Sequence, residues 1–282
     1  MKHTLVFQKT RNIELTIRAC TAMLLLLLAV KPLSAVELRQ ETLRAWDEYI
    51  RNLDAHAESQ INGGGPFLMA DNSPDLQRRL QGDELVVTNH DPRRVPQGMI
   101  HDWVGIVFIP NVNLDQAMSV LTNYQDYSEV YRQVLTSCSV LERNGDNIEI
   151  SAVAVQKALS VTAAVATDNQ IHIERLDSKR VYITSNAARI QEIADYGKPN
   201  EHPYPENRRP GYVWRAVVNE RLEERDGGVY VEIETVALTR GIPIEFRWLI
   251  KPLTDELPRN MMTDMLNDTR AALDHGESVA LK

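Results

Sequence analysis

The sequence predicts an α+β domain: one antiparallel sheet of about seven strands, a long C-terminal helix, and a helical extension ahead of both. Three observations predict it. From residue 98 onward, runs of alternating apolar and polar residues succeed one another, and the turns "RNGDN" and "RDGG" place Asn-Gly and Asp-Gly between them as hairpin signals. The stretch 253–275 instead brings Met262, Met265, Leu266, Thr269 and Leu273 to helical spacing. Between the first strand and the rest, "NYQDYSEVY" (123–131) sets Tyr124, Tyr127 and Tyr131 three and four residues apart, so a short helical piece carries three phenol rings on one face.

Taken in order, the chain of 282 residues opens on a basic leader with Lys2, Lys9, Arg11 and Arg18, an apolar run of twelve at 19–30, and small Ser34 and Ala35. This is the pattern of a secretory signal peptide cleaved near Ala35. The run is shorter than the roughly 20 residues that cross a bilayer. Residues 1–35 therefore predict export, to the periplasm or the medium, with no stable membrane insertion after cleavage. In residues 40–61 Leu43, Trp46, Ile50, Leu53, Ala57 and Ile61 form the apolar stripe of a helix that "NGGGP" ends. A short helix within 72–87 and the turn-rich "HDPRRVPQG" complete a lead-in over 36–95 that packs on the main domain.

The main domain, 96–277, begins with the strand "MIHDWVGIVFIP", apolar on both faces and ended by Pro110. Asn113 caps a helix holding Leu114, Ala117, Met118 and Leu121. Six more strands follow the tyrosines, broken by a proline-rich loop at 198–211, and Thr254 and Asp255 supply caps for the final helix. In "VYVEIETVALTR" the apolar parity switches after Ile233, which reads as a β-bulge or as a face whose polar residues point inward.

The segment "LTNYQDYSEVYRQVLTSCSVLERNGD" (121–146) resembles the signature of the polyketide cyclase/dehydrase and coenzyme Q-binding families of the START-like (SRPBCC, helix-grip) superfamily. Asp126 and Tyr127 occupy positions related to the family's "D-x-Y", while Arg132 replaces the proline common after the aromatic cluster. The resemblance covers roughly residues 98–275. It implies a curved sheet gripping the last helix around an apolar cavity.

Charge narrows the function. Setting aside residues 1–35 leaves 26 Lys/Arg against 38 Asp/Glu, close to minus 12. Such a surface repels phosphate backbones and anionic membranes, so nucleic acid is excluded as a partner. Cys138 is the only cysteine beyond the leader and sits in a strand-like run, as a buried thiol does. No His or Cys pair has metal-ligand spacing, no nucleophile elbow appears, and no cofactor motif is present.

A small apolar molecule is therefore the expected partner: a lipid, an isoprenoid quinone or a polyketide-like compound bound in the cavity without catalysis. The candidate lining is Trp103, Tyr124, Tyr127, Tyr131, Trp214, Glu234, Met261, Met262 and Met265. Aromatic rings and adaptable methionines suit varied apolar shapes. Trp248, just ahead of the last helix, belongs to the same apolar set. For Glu234 three placements compete: a solvated face, an ion pair with Arg215 or Arg240, or the cavity wall. A cyclase/dehydrase-type enzyme using Glu234 or a tyrosine as acid or base is the alternative, and an interaction module with a filled cavity is the third reading.

Overall fold

The computed structural model describes residues 39–158, 161–204, 212–241 and 256–276. The leader, Trp248 and the caps at Thr254 and Asp255 lie outside them.

Helix α1, Gln40–Ile61, ends at Asn62, after which Gly63 adopts φ +80°, a conformation glycine takes without strain. A 3-10 turn, Met69–Asn72, leads to α2, Pro74–Gln81, where the Ser73 hydroxyl accepts from the Leu76 amide at 3.3 Å and Pro74 fills the first turn. The short strands β1, Val86–Asn89, and β2, Arg93–Val95, both pair with β3, Gly98–Pro110. Then come α3, Leu114–Leu121, held by the reciprocal Asn113–Gln116 capping box, and α4, Tyr127–Val130. Strands β4, Leu135–Asn144, β5, Asn147–Ala158, β6, Val161–Arg175, and β7, Arg180–Ala194, run as a meander. The two-residue β8, His202–Pro203, adds to β7; β9, Val213–Arg225, β10, Gly228–Arg240, and helix α5, Leu257–Gly276, complete the order.

All ten strands join one antiparallel sheet in the order β1-β3-β10-β9-β7-β6-β5-β4, unclosed between β1 and β4. Seven of them are long, the number the alternation predicts, and the three short ones edge the sheet. The chain passes from β3 on one side to β4 at the other through α3 and α4, and returns so that β10 lies against β3, Val231 opposite Val107.

The register divides the sheet into two faces. Odd-numbered residues of β3 and β10 with even-numbered residues of β9 form the inner face, against which α5 lies. Gly105 marks the contact: a Cβ there would stand 2.6 Å from the Met262 sulfur and 2.8 Å from Leu266 Cδ1. The main core gathers here, with Trp103, Val107, Val231, Ile233, Leu222, Ile183 and Ile150 facing Met262, Leu266 and Leu273. Over β3, β9 and β10 the outer face is equally dry. Trp46 of α1 packs with Ile100, Trp214, Val236 and Leu238, and the turn at 67–70 packs with Ile106, Phe108 and Tyr230.

This two-sided burial corrects the reading of β10. Its apolar parity switches with no bulge within it, because Val229, Val231 and Ile233 serve the inner core while Val236 and Leu238 serve the stripe of α1 on the other face. The irregularity in this pairing lies on β9, where Trp214 is the extra residue between Val213 and Arg215.

Candidate functional site

The tyrosines line up where α3 and α4 meet the inner face. Tyr124 and Tyr127 have ring centroids 4.8 Å apart at 58°, and Tyr127 and Tyr131 stand 4.9 Å apart, edge to face. Each tip has its own use: Tyr127 donates to the Leu121 carbonyl at 2.5 Å, Tyr131 exchanges a hydrogen bond with Thr269 of α5 at 3.0 Å, and Tyr124 makes none among the described residues. Burial raises all three above the ordinary phenol value, so they stay neutral at physiological pH.

Beneath the rings lies Glu220 of β9. It faces inward between Val218 and Leu222, opposite Ile233 on β10 and Ile183 on β7. Its Oε2 is buried with no hydrogen-bond partner, and burial alone pushes the carboxyl up to about 7. The residue as a whole is half-buried, with Oε2 turned away from solvent. Its charge reaches Tyr124, Tyr127 and Tyr131, raising each further. Cys138, half-buried on the same side, has its thiol pushed up by burial to about 11, which keeps it protonated at neutral pH.

Trp103, Tyr124, Tyr127, Tyr131 and Met262 thus share one core, with Met265 packed against it. Met261 is half-buried outside this cluster, and the Arg259 guanidinium stacks 5.4 Å over Trp103.

Two of the sequence candidates are elsewhere. Trp214 lies on the outer face under Trp46. Glu234 is on that face too, taking a hydrogen bond from Arg221 at 3.1 Å, and not from Arg215 or Arg240. The same Arg221 nitrogen reaches Glu232 at 3.2 Å, whose other oxygen accepts from the Met69 amide at 2.6 Å. Burial raises the Glu232 carboxyl and outweighs the attraction of a guanidinium it shares. This cluster locks the lead-in to the sheet. Sequence reasoning passed over Glu220, although it has the parity of Val218 and Leu222, because "NERLEER" reads as a solvated run of charge.

Beside Tyr124 lies a cleft of about 410 Å³ between the end of α3 and β4, lined by Tyr124, Val140 and Arg143 together with polar residues of 119–125. Among the described residues no group of three metal-binding side chains occurs, and no helix is long and apolar enough to cross a membrane.

No protein-family model and no curated protein matches the sequence. Solved structures do match. An aromatase/cyclase from a Streptomyces species is 9% identical, with a TM-score of 0.45 over 70% of this chain and 99% of that one. A STAR-related lipid transfer protein from Xanthomonas axonopodis is 14% identical, with a TM-score of 0.42 over 67% and 98%. A START superfamily protein from Mycobacterium smegmatis is 6% identical, with a TM-score of 0.40 over 62% and 97%. Strand order and the helix laid across the inner face give a curved antiparallel sheet gripping a C-terminal helix, the α+β helix-grip architecture expected from the sequence.

Proposed function

We propose that the chain binds a small, largely apolar molecule between the inner face of the sheet and α5, without chemistry, and that Glu220 meets the one polar group of that molecule. The observation that carries this reading is Glu220 on the inner face, opposite Ile233 and Ile183, with its Oε2 buried and unpartnered. Leaving such a group unmade costs on the order of 1–3 kcal/mol, a cost that a ligand carbonyl or hydroxyl would offset. A protonated Glu220 donates to a quinone, ester or polyketide carbonyl, so the three ligand classes read from the sequence all fit. Export of the mature chain from residue 36 belongs to the same proposal, and N-terminal sequencing of protein recovered outside the cytoplasm tests it.

The test of binding is extraction of gently purified protein followed by mass spectrometry, with Trp103 fluorescence as the reporter for added lipids, quinones and polyketides. Glu220→Gln should still bind, several-fold more weakly. Nothing extracted and no fluorescence response to the panel would leave a filled core and end the proposal. A second reading rests on the position of the Glu220 carboxyl near 7, which suits proton transfer at neutral pH. Turnover of a polyketide-like substrate that is lost in Glu220→Gln would establish an enzyme instead.

A further inference from the structure

The cleft beside Tyr124 has a chemistry that the apolar site does not use. Most of its polar side chains are already committed: the Ser119 hydroxyl donates to the Gln116 carbonyl and the Thr122 hydroxyl to the Met118 carbonyl, both at 2.7 Å, and the Asn123 amide donates to Asp126 at 2.7 Å. The donors left over are those of Arg143, Gln125 and the Tyr124 hydroxyl. Arg143 is held in place from two sides. One of its nitrogens donates to the Thr122 carbonyl at 2.9 Å and its guanidinium lies 6.0 Å from the centre of the Tyr124 ring. No carboxylate pairs with it among the described residues, although the chain is strongly acidic. A positioned and unneutralised fork of N–H groups suits an anion with two oxygens.

From this the geometry points to an anionic headgroup site: the ligand is an amphiphile whose carboxylate or phosphate sits in the cleft on Arg143 while its apolar body passes Tyr124 toward the inner face. This rests on the binding reading above and adds the class of ligand. The overall negative charge keeps the protein off anionic membranes, so the headgroup arrives on a single molecule and not on a bilayer surface.

The experiment compares a fatty acid with the fatty alcohol of the same chain length, and with acetate and inorganic phosphate alone, on wild type, Arg143→Gln and Arg143→Lys. Arg143 is exposed, so both variants should fold, and their melting temperatures check this. Wild type should take the acid about tenfold or more tightly than the alcohol, with a preference that fades as salt rises. Arg143→Gln should abolish the preference and leave alcohol binding unchanged, while Arg143→Lys keeps part of it. Equal binding of acid and alcohol to wild type overturns the headgroup site and leaves the apolar reading standing. If neither amphiphile binds, the apolar reading has failed. Arg143-dependent binding of phosphate or acetate would then uphold the anion site for a free anion, and its absence would overturn that as well.

Discussion

Glu220 and Glu234 are both glutamates in the last hairpin, and one peptide unit of parity separates their fates. Glu234 stands opposite Asn219 and shares Arg221 with Glu232, whereas Glu220 stands opposite Ile233 with no cation beside it. The contrast predicts a pH dependence. Below about pH 4.5 Glu220 is protonated folded or unfolded, and between there and about 7 the unfolded chain ionises while the folded one keeps its proton, so stability falls as pH rises through that window and levels off above it. Glu220→Gln removes this slope. The variant should gain on wild type across the window by on the order of 2 kcal/mol, read from urea melts at several pH values. Glu232, also raised by burial, titrates in both proteins and cancels from the difference. A gap that does not change with pH would mean that Glu220 is hydrated. Neither role was legible in the sequence, because parity tells which residues share a face and not which face is charged beneath its cover. Trp214 escaped for a related reason: its bulge on β9 leaves no mark in the local pattern.

At the scale of elements, the grip depends on a missing side chain. Helix α5 presses Met262 and Leu266 onto Gly105, and a methyl group at that position would overlap both. Gly105→Ala should cost about 1–3 kcal/mol through overpacking, and Met262→Ala alone about 2–5 kcal/mol through the cavity it leaves. The double variant should cost less than the sum, because each change accommodates the other, and a thermodynamic cycle from denaturant melts measures that coupling. Strict additivity would show that the helix does not seat on β3 at this point. The elements themselves were largely readable: the stripe of α1, the Asn113 cap, the hairpin turns and the seven long strands all leave periodic or turn signals. A glycine inside an apolar strand also signals a close approach, yet it names no partner.

At the scale of the whole molecule, the sheet is dry on both faces over β3, β9 and β10, and this explains what the sequence left obscure. Hairpin order could be read from the turns, but the pairing of β3 with β10 joins residues more than a hundred positions apart, and nothing local encodes it. Dry faces on both sides likewise disguise strands whose alternation would otherwise show their orientation. The lead-in supplies one of these dry faces in two pieces. Helix α1 covers Ile100, Trp214, Val236 and Leu238 through Trp46, ties Tyr49 to Asp102 at 2.7 Å, and anchors Thr42 on the Pro96 carbonyl at 2.5 Å. The segment after it covers Ile106, Phe108 and Tyr230, joins Glu232 through the Met69 amide, and pairs Asp71 with Arg225. Removing both should therefore be worse than removing the first. A chain truncated to begin at residue 63 should lose several kcal/mol, since about 25 cal/mol is lost for each Å² of apolar surface returned to water, yet keep the Met69 tie and remain monomeric in part. A chain beginning at residue 74 uncovers the second cluster and leaves Glu232 with a shared guanidinium alone, so it should aggregate and bind a hydrophobic dye. Size-exclusion chromatography with thermal melts separates the cases. If the shorter truncation melts like a chain beginning at residue 36, α1 is no structural cover, and its apolar stripe is left for a partner protein.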